Sequence, residues 1–178
     1  MDLTNTSIQT SGPGALINEL ERGIAIIRDL DDADYSRCRN GESSIGAHIR
    51  HNLDFVNAFM NGAATGRINY NARVRDRRVE NDRRYAIEQL SAAVRRLNGI
   101  KGSAMRSNIL VRSEIDEGEW HVSSVGREIE FLNSHTVHHY ALVARLIRDI
   151  GQLVNGTFGV APSTLRFRSG LEGFASRN

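Results

Sequence analysis

The chain has six histidines, and five of them fall in two short clusters: His48 and His51, then His135, His138 and His139. His135 and His139 are four residues apart. On a helix they project the same way, one turn apart, so both imidazoles can reach one metal ion, as other helical HxxxH pairs do. They sit at the edge of an apolar stripe, facing inward; His138 points elsewhere and is expected to be exposed or to support the site from outside. His48 and His51 place a second pair on another helix-patterned segment. Polar groups at a helix interface need compensation. A shared divalent metal is an economical one, and satisfied core hydrogen bonding is the plainer alternative. Periodicity leaves the second segment's ligand open: His48 lies nearer the centre of its apolar face, while His51 lies at the margin, in line with Phe55.

Four amphipathic segments are needed to position these residues. Leu16, Leu20, Ile24 and Ile27 stripe a first helix from about Pro13 to Leu30, with Pro13 suited to a first turn. Asp31 to Asp34 break this pattern, and residues 35–42 read as a loop. Ser43 or Ser44 can cap a second helix, striped by Ile45, Ile49, Val56 and Met60 and stopped at Asn61-Gly62. Asn81-Asp82 open a third, striped by Ile87, Leu90, Val94 and Leu97, that ends near Gly99. Ser123 or Ser124 caps the fourth, in which Ile129, Leu132, Thr136, Tyr140, Val143 and Ile147 recur at threes and fours until Gly151. Segments 108–114 and 119–123 carry the strand signal, a short β-hairpin turning at 116–118. The fold class expected is mainly all-α, an antiparallel four-helix bundle with that hairpin before the fourth helix. Residues 13–168 form the single domain, between a flexible N-terminus (1–12) and a flexible C-terminus (169–178). The connection 62–80 is long enough to suggest a function of its own.

The run Ser44-Ile45-Gly46-Ala47-His48-Ile49-Arg50-His51-Asn52-Leu53-Asp54, followed far downstream by His135-Thr136-Val137-His138-His139, resembles the DinB-like superfamily in order and spacing. The likeness spans most of the chain, from the first helix to the fourth. It implies a four-helix bundle holding a divalent metal on three histidines, one from the second helix and two from the fourth. The second-helix ligand of that family is typically followed three residues later by a carboxylate. His51 with Asp54 matches this and His48 does not, so the resemblance carries the metal onto His51, His135 and His139. Asp54 would then orient a ligand or its bound water.

Three neutral imidazoles leave an open coordination position, which in a zinc site holds a water of pKa about 7 or accepts a thiolate. Such a set suits zinc, nickel or iron. The function expected is a metal-dependent hydrolase or a transferase using a low-molecular-weight thiol. The alternative is a non-catalytic metal-binding or stress-related interaction protein on the same bundle. The resemblance also implies a homodimer. Tyr70, Arg73, Arg75 and Arg77 sit in the long connection, where Arg73 or Arg75 can clamp an anionic small-molecule substrate; a solvated basic loop explains them equally well. Glu128, two turns before His135, reads as a base, a supporting acceptor or a helix cap. Trp120 and His121 read as packing and surface residues.

Composition narrows the classes. The 178 residues suit one domain, and the net charge is only +2. Acidic residues interrupt the arginines between Arg67 and Arg84, so nucleic acid is not the expected partner. No run approaches the roughly 20 apolar residues of a membrane span. The N-terminus lacks a secretory pattern, and Cys38 is the lone cysteine, so a cytoplasmic location is expected. Phosphate loops, dinucleotide fingerprints and nucleophile elbows are missing, which leaves serine and cysteine hydrolases without support.

Overall fold

The structure, a computed structural model, describes residues 12–38, 41–116 and 118–175. Most of the polar segment set apart at 1–12, residues 39 and 40 of the turn after Cys38, and residues 176–178 lie outside it. The protein is mainly helical with a small three-stranded sheet. Four long helices carry the core: α1 (Gly14–Arg28), α3 (Ile45–Ala63), α5 (Arg83–Asn98) and α6 (Val125–Asp149). Three of them begin where a side chain satisfies a free N–H of the first turn. The Ser44 hydroxyl accepts from the Ala47 N–H (3.0 Å), Asp82 from Tyr85 (3.0 Å), and Ser124 from Arg127 (3.2 Å). Each helix then buries its apolar stripe: Leu16, Leu20 and Ile27 on α1, Ile49, Leu53 and Phe59 on α3, Leu90 and Leu97 on α5, and Leu132, Tyr140 and Val143 on α6.

Two shorter helices fill gaps where the sequence reading expects loop. In α2 (Asp32–Ser36), Asp31 supplies the cap and Tyr35 is wholly buried, its hydroxyl donating to the Val79 carbonyl (2.7 Å). In α4 (Arg77–Asn81), Asp76 caps and Val79 is buried. The core packs α1 on α5 and α6, and α3 on α5 and α6.

The pairings are not all antiparallel, which corrects the simplest up-and-down reading. α3 and α6 oppose one another: His48 meets His139, and Phe55 near the middle of α3 meets Phe131 early in α6. α1 and α5 also oppose, since Arg83 at the start of α5 reaches the carbonyls of Ile27 and Arg28 at the end of α1. α3 and α5, however, run the same way. Gly46 at the start of α3 abuts Glu80 just before α5, and Asn61 near the end of α3 accepts from Arg96 near the end of α5 (2.8 Å). A parallel pair requires the chain to travel back along a helix of 19 residues, about 28 Å at 1.5 Å per residue. That return is the physical reason for the long connection: residues 64–82 carry it.

On the way back the chain lays down β1 (Arg67–Ile68) and a 3-10 turn (Tyr70–Ala72). β1 pairs in parallel with β2 (Asn108–Arg112), Arg67 opposite Leu110, and β2 pairs antiparallel with β3 (Trp120–Ser124), Ile109 opposite Ser123. The expected hairpin is therefore present, with a third strand contributed by the crossover. Phe158, in the stretch after α6, stacks on Tyr140 with ring centroids 4.9 Å apart, and α7 (Pro162–Ala175) follows. Gly46 is a required glycine: a Cβ there would stand 2.8 Å from the Tyr35 ring and against the Glu80 carbonyl oxygen. No helix among the described residues is long and apolar enough to cross a membrane.

Candidate metal centre

The site lies where α3 faces α6. On α3, residues 48, 51, 52 and 55 are three or four apart and share one face; on α6, residues 131, 135 and 139 do the same. Because the helices oppose each other, these faces meet in register. His51, His135 and His139 each offer a ligand atom, and the three atoms lie within 4.8 Å of one another. The trio is positioned to hold a metal ion. Ring centroids are 5.2 Å apart for His51 and His135, 4.6 Å for His51 and His139, and 4.5 Å for His135 and His139.

His48 is outside this trio. Its Nδ1 lies 3.1 Å from Nδ1 of His139, so one ring donates and the other accepts. With the proton on His139 Nδ1, His48 accepts and His139 keeps the lone pair of its Nε2. Of the two α3 candidates, His51 converges with the α6 pair, and His48 contacts His139 through the Nδ1 atoms. His138 is exposed, its ring edge-on to His139 at 5.3 Å.

All three imidazoles are half-buried, and burial sets their basicity. It pushes His135 down to about 4 and His139 down to about 3, each helped by the neighbouring imidazoles. His51 is lowered by burial first and then by the charges of Arg73 and Arg50, and His48 by burial and then His138. Neutral imidazoles with free lone pairs, converging without hydrogen bonds among the trio, are the donor set that a borderline metal ion takes.

Asn52 was not singled out from the sequence and proves central. It is wholly buried; its Oδ1 accepts from the Thr136 hydroxyl (3.0 Å) and lies 3.4 Å from His135 Nδ1. A proton on that Nδ1 points at Asn52 and leaves His135 Nε2 free, which is how metal-binding histidines are commonly oriented. The signal was readable: Asn52 occupies the buried stripe of α3 between Ile49 and Val56, where an apolar residue is expected. The Asn52 amide nitrogen is buried without a partner. On the other side, Phe55 and Phe131 pack against the His135 ring, 4.5 and 5.9 Å away, making an apolar wall.

Two carboxylates expected at the site are engaged elsewhere. Asp54, expected to orient a ligand, accepts from Arg50 (2.8 Å), which also binds Glu80 (2.9 Å). Position 54 faces the crossover rather than the histidines, and the guanidinium captures it. Glu128 is buried and accepts from the Tyr70 hydroxyl (2.9 Å) and the Ser123 hydroxyl (2.6 Å). It ties α6 to the crossover and to β3, and its helix-start position puts it two turns from His135.

The arginines of the connection are partly committed. Arg78 pairs with Asp82, Arg83 with Asp32, and Arg67 lies over the Trp120 ring at 4.3 Å. Arg73 lies over Phe55 at 4.5 Å. His121 is exposed, and so is Cys38.

No family model matches the chain. A stretch of 103 residues, 56% of this chain, is 31% identical to FK506-binding protein 5 of Rhizopus delemar. The chain spans 27% of the length of that curated relative.

Proposed function

We propose that the chain is a DinB-like metalloprotein. In this reading α1, α3, α5 and α6 form a four-helix bundle that holds one divalent ion, zinc, nickel or iron, on His51, His135 and His139. It serves a metal-dependent hydrolase or a low-molecular-weight-thiol transferase reaction on a small, anionic substrate. The observation that carries this reading is the convergence of three neutral imidazoles within 4.8 Å, one from α3 and two from α6. It is the ligand pattern that the resemblance implies, and the core packing of α1, α3, α5 and α6 agrees with it. The resemblance extends the proposal to a homodimer, and the lone cysteine extends it to a cytoplasmic setting.

A divalent ion held by His51, His135 and His139 would supply Lewis-acid chemistry toward water or a thiol. The chain's own residues supply the rest. Asn52 fixes the His135 ring, His48 braces His139, and Phe55 with Phe131 keeps one side dry. Among the described residues no carboxylate contacts the trio, since Asp54 and Glu128 are both engaged elsewhere. Either reaction would pass a proton, from water or from the thiol, to a base outside the trio.

One observation favours the non-catalytic alternative. Clefts of about 550 and 620 Å³ open on the protein, and no histidine of the trio lines either. The two readings separate by assay. Zinc-loaded protein is incubated with glutathione, mycothiol or bacillithiol and an alkyl halide or epoxide, and thiol loss is followed. Metal-dependent thiol consumption supports the transferase. Stoichiometric metal binding without turnover, on thiol and ester panels alike, favours the metal-binding or stress-related interaction protein.

A further inference from the structure

The larger of the two clefts lies at the end of the bundle where α3 and α5 finish and α6 begins. Its volume is about 620 Å³. Met60, Ala63 and Ala64 at the end of α3, Ile100 and Ala104 after α5, and Val125 at the start of α6 make its apolar wall. Met60, Ala63 and Ile100 are only partly covered, and they pack on the core beneath. Apolar surface left open in a recess favours an apolar ligand, which takes it out of water.

The side-chain charge around this cleft has one sign. Arg96 and Lys101 line it as exposed residues, and no acidic residue does. Among the described residues neither cation pairs with a carboxylate. Arg96 donates instead to the neutral carboxamide oxygens of Asn57 (3.4 Å) and Asn61 (2.8 Å), which hold it in place. The backbone carbonyls where α3 and α5 end are occupied: Gly62 and Ala63 accept from the N–H groups of Thr65 and Gly66, and Arg96 and Leu97 from those of Gly99 and Ile100.

The size of the cleft suits a small molecule, for which sites of about 300–1,000 Å³ are usual. A stable protein partner covers about 800 Å² of each surface, and here the apolar surface does not continue beyond the recess. The most exposed large apolar side chains, Val74, Ile115, Val122, Leu153 and Phe167, all lie outside it.

We infer that this cleft binds a single-chain anionic amphiphile, its hydrocarbon tail against Met60, Ile100 and Val125 and its carboxylate beside Arg96 and Lys101. The site is separate from the histidine trio, and the inference does not rest on the metal-site reading.

The test titrates dodecanoate, below its micelle concentration, into the full chain by isothermal calorimetry. Octanoate reports the tail and dodecyltrimethylammonium the head. The expected result is one dodecanoate per chain. Affinity falls roughly fourfold for each methylene removed toward octanoate, and the cationic amphiphile binds about tenfold more weakly or worse. Lys101→Glu raises the dodecanoate Kd by about fivefold, and Ala104→Trp, which fills the cleft, abolishes binding. Equal Kd values for the anionic and cationic amphiphiles, or for wild type and Lys101→Glu, overturn the inference. So do the lack of saturable binding and binding that survives unchanged in Ala104→Trp. Adsorption of the chain to phosphatidylglycerol vesicles without binding of monomeric dodecanoate overturns it in favour of a membrane surface. Far-UV circular dichroism shows whether Ala104→Trp is folded; if it is not, Lys101→Glu, at an exposed position, decides.

Discussion

Replacing Asn52 by leucine separates its proposed support of a metal site from its part in the fold. Leucine keeps the number of heavy atoms at a wholly buried position and removes both the acceptor for His135 and the unpartnered amide nitrogen. The losses are the Thr136 contact at 3.0 Å and the longer His135 contact at 3.4 Å, each about 1 kcal/mol at most. Thr136 stays satisfied, because its hydroxyl also reaches the Leu132 carbonyl at 2.7 Å. Against those losses stands the removal of a buried orphan donor, whose burial costs about 1–3 kcal/mol. Metal-free stability should thus change by no more than about 1 kcal/mol, with the sign set by how well leucine packs. Metal affinity should behave differently. Without Asn52 the His135 ring is free to change tautomer and rotate, and loss of such a supporting partner costs about 10–100-fold, or about 1.4–2.7 kcal/mol. Zinc competition against a chromogenic chelator measures the affinity, and thermal unfolding of chelator-treated protein measures the stability. A variant with unchanged stability and unchanged zinc affinity would refute the orienting role of Asn52.

Other consequences follow from the same contacts. Burial holds His135 at about 4 and His139 at about 3, against about 6.5 in the unfolded chain. Above pH 7 both states are neutral and these groups contribute nothing. As pH falls below about 6.5, the unfolded state binds protons that the folded state does not, so stability is lost. Melting temperatures of metal-free protein should therefore decline between pH 6.5 and 4, less steeply in His139→Gln; equal slopes would contradict the assignment. Tyr70→Phe leaves the buried Glu128 with Ser123 alone and should lower stability by about 1–3 kcal/mol, read from a urea midpoint. Gly46→Ala forces a Cβ onto the Glu80 carbonyl and the Tyr35 ring and should cost about 1–3 kcal/mol despite alanine's better helix propensity, again by urea unfolding.

The long helices were legible because stripe and cap agreed: Ser44, Asp82 and Ser124 each stand one residue before a helix that carries a buried apolar stripe. Helices α2 and α4, five residues each, are too short for a period to register, and their aspartate caps act together with the tertiary contacts of Tyr35 and Val79. Helix direction was not legible, since a stripe names a face and not an orientation. The length of the 62–80 connection was the available clue to the parallel α3–α5 pair. At the site, the four-residue spacing of His135 and His139 was decisive on α6. The choice between His48 and His51 depends on how α3 is rotated against α6, which follows from packing such as Gly46 on Glu80 and is not encoded in periodicity. Asp54 misled for a related reason: its spacing from His51 is right, but Arg50, one turn away on the same helix, is the nearer and stronger partner.

The central claim is one metal ion held jointly by α3 and α6. Elemental analysis of the purified chain, alongside His51→Ala, His135→Ala and His48→Ala, tests it most directly. The account predicts close to one zinc, nickel or iron per chain in wild type, loss of the metal in His51→Ala and His135→Ala, and retention in His48→Ala with weaker binding. A wild type that stays metal-free after reconstitution with each of the three ions would contradict it, as would a His51→Ala variant that keeps its full complement.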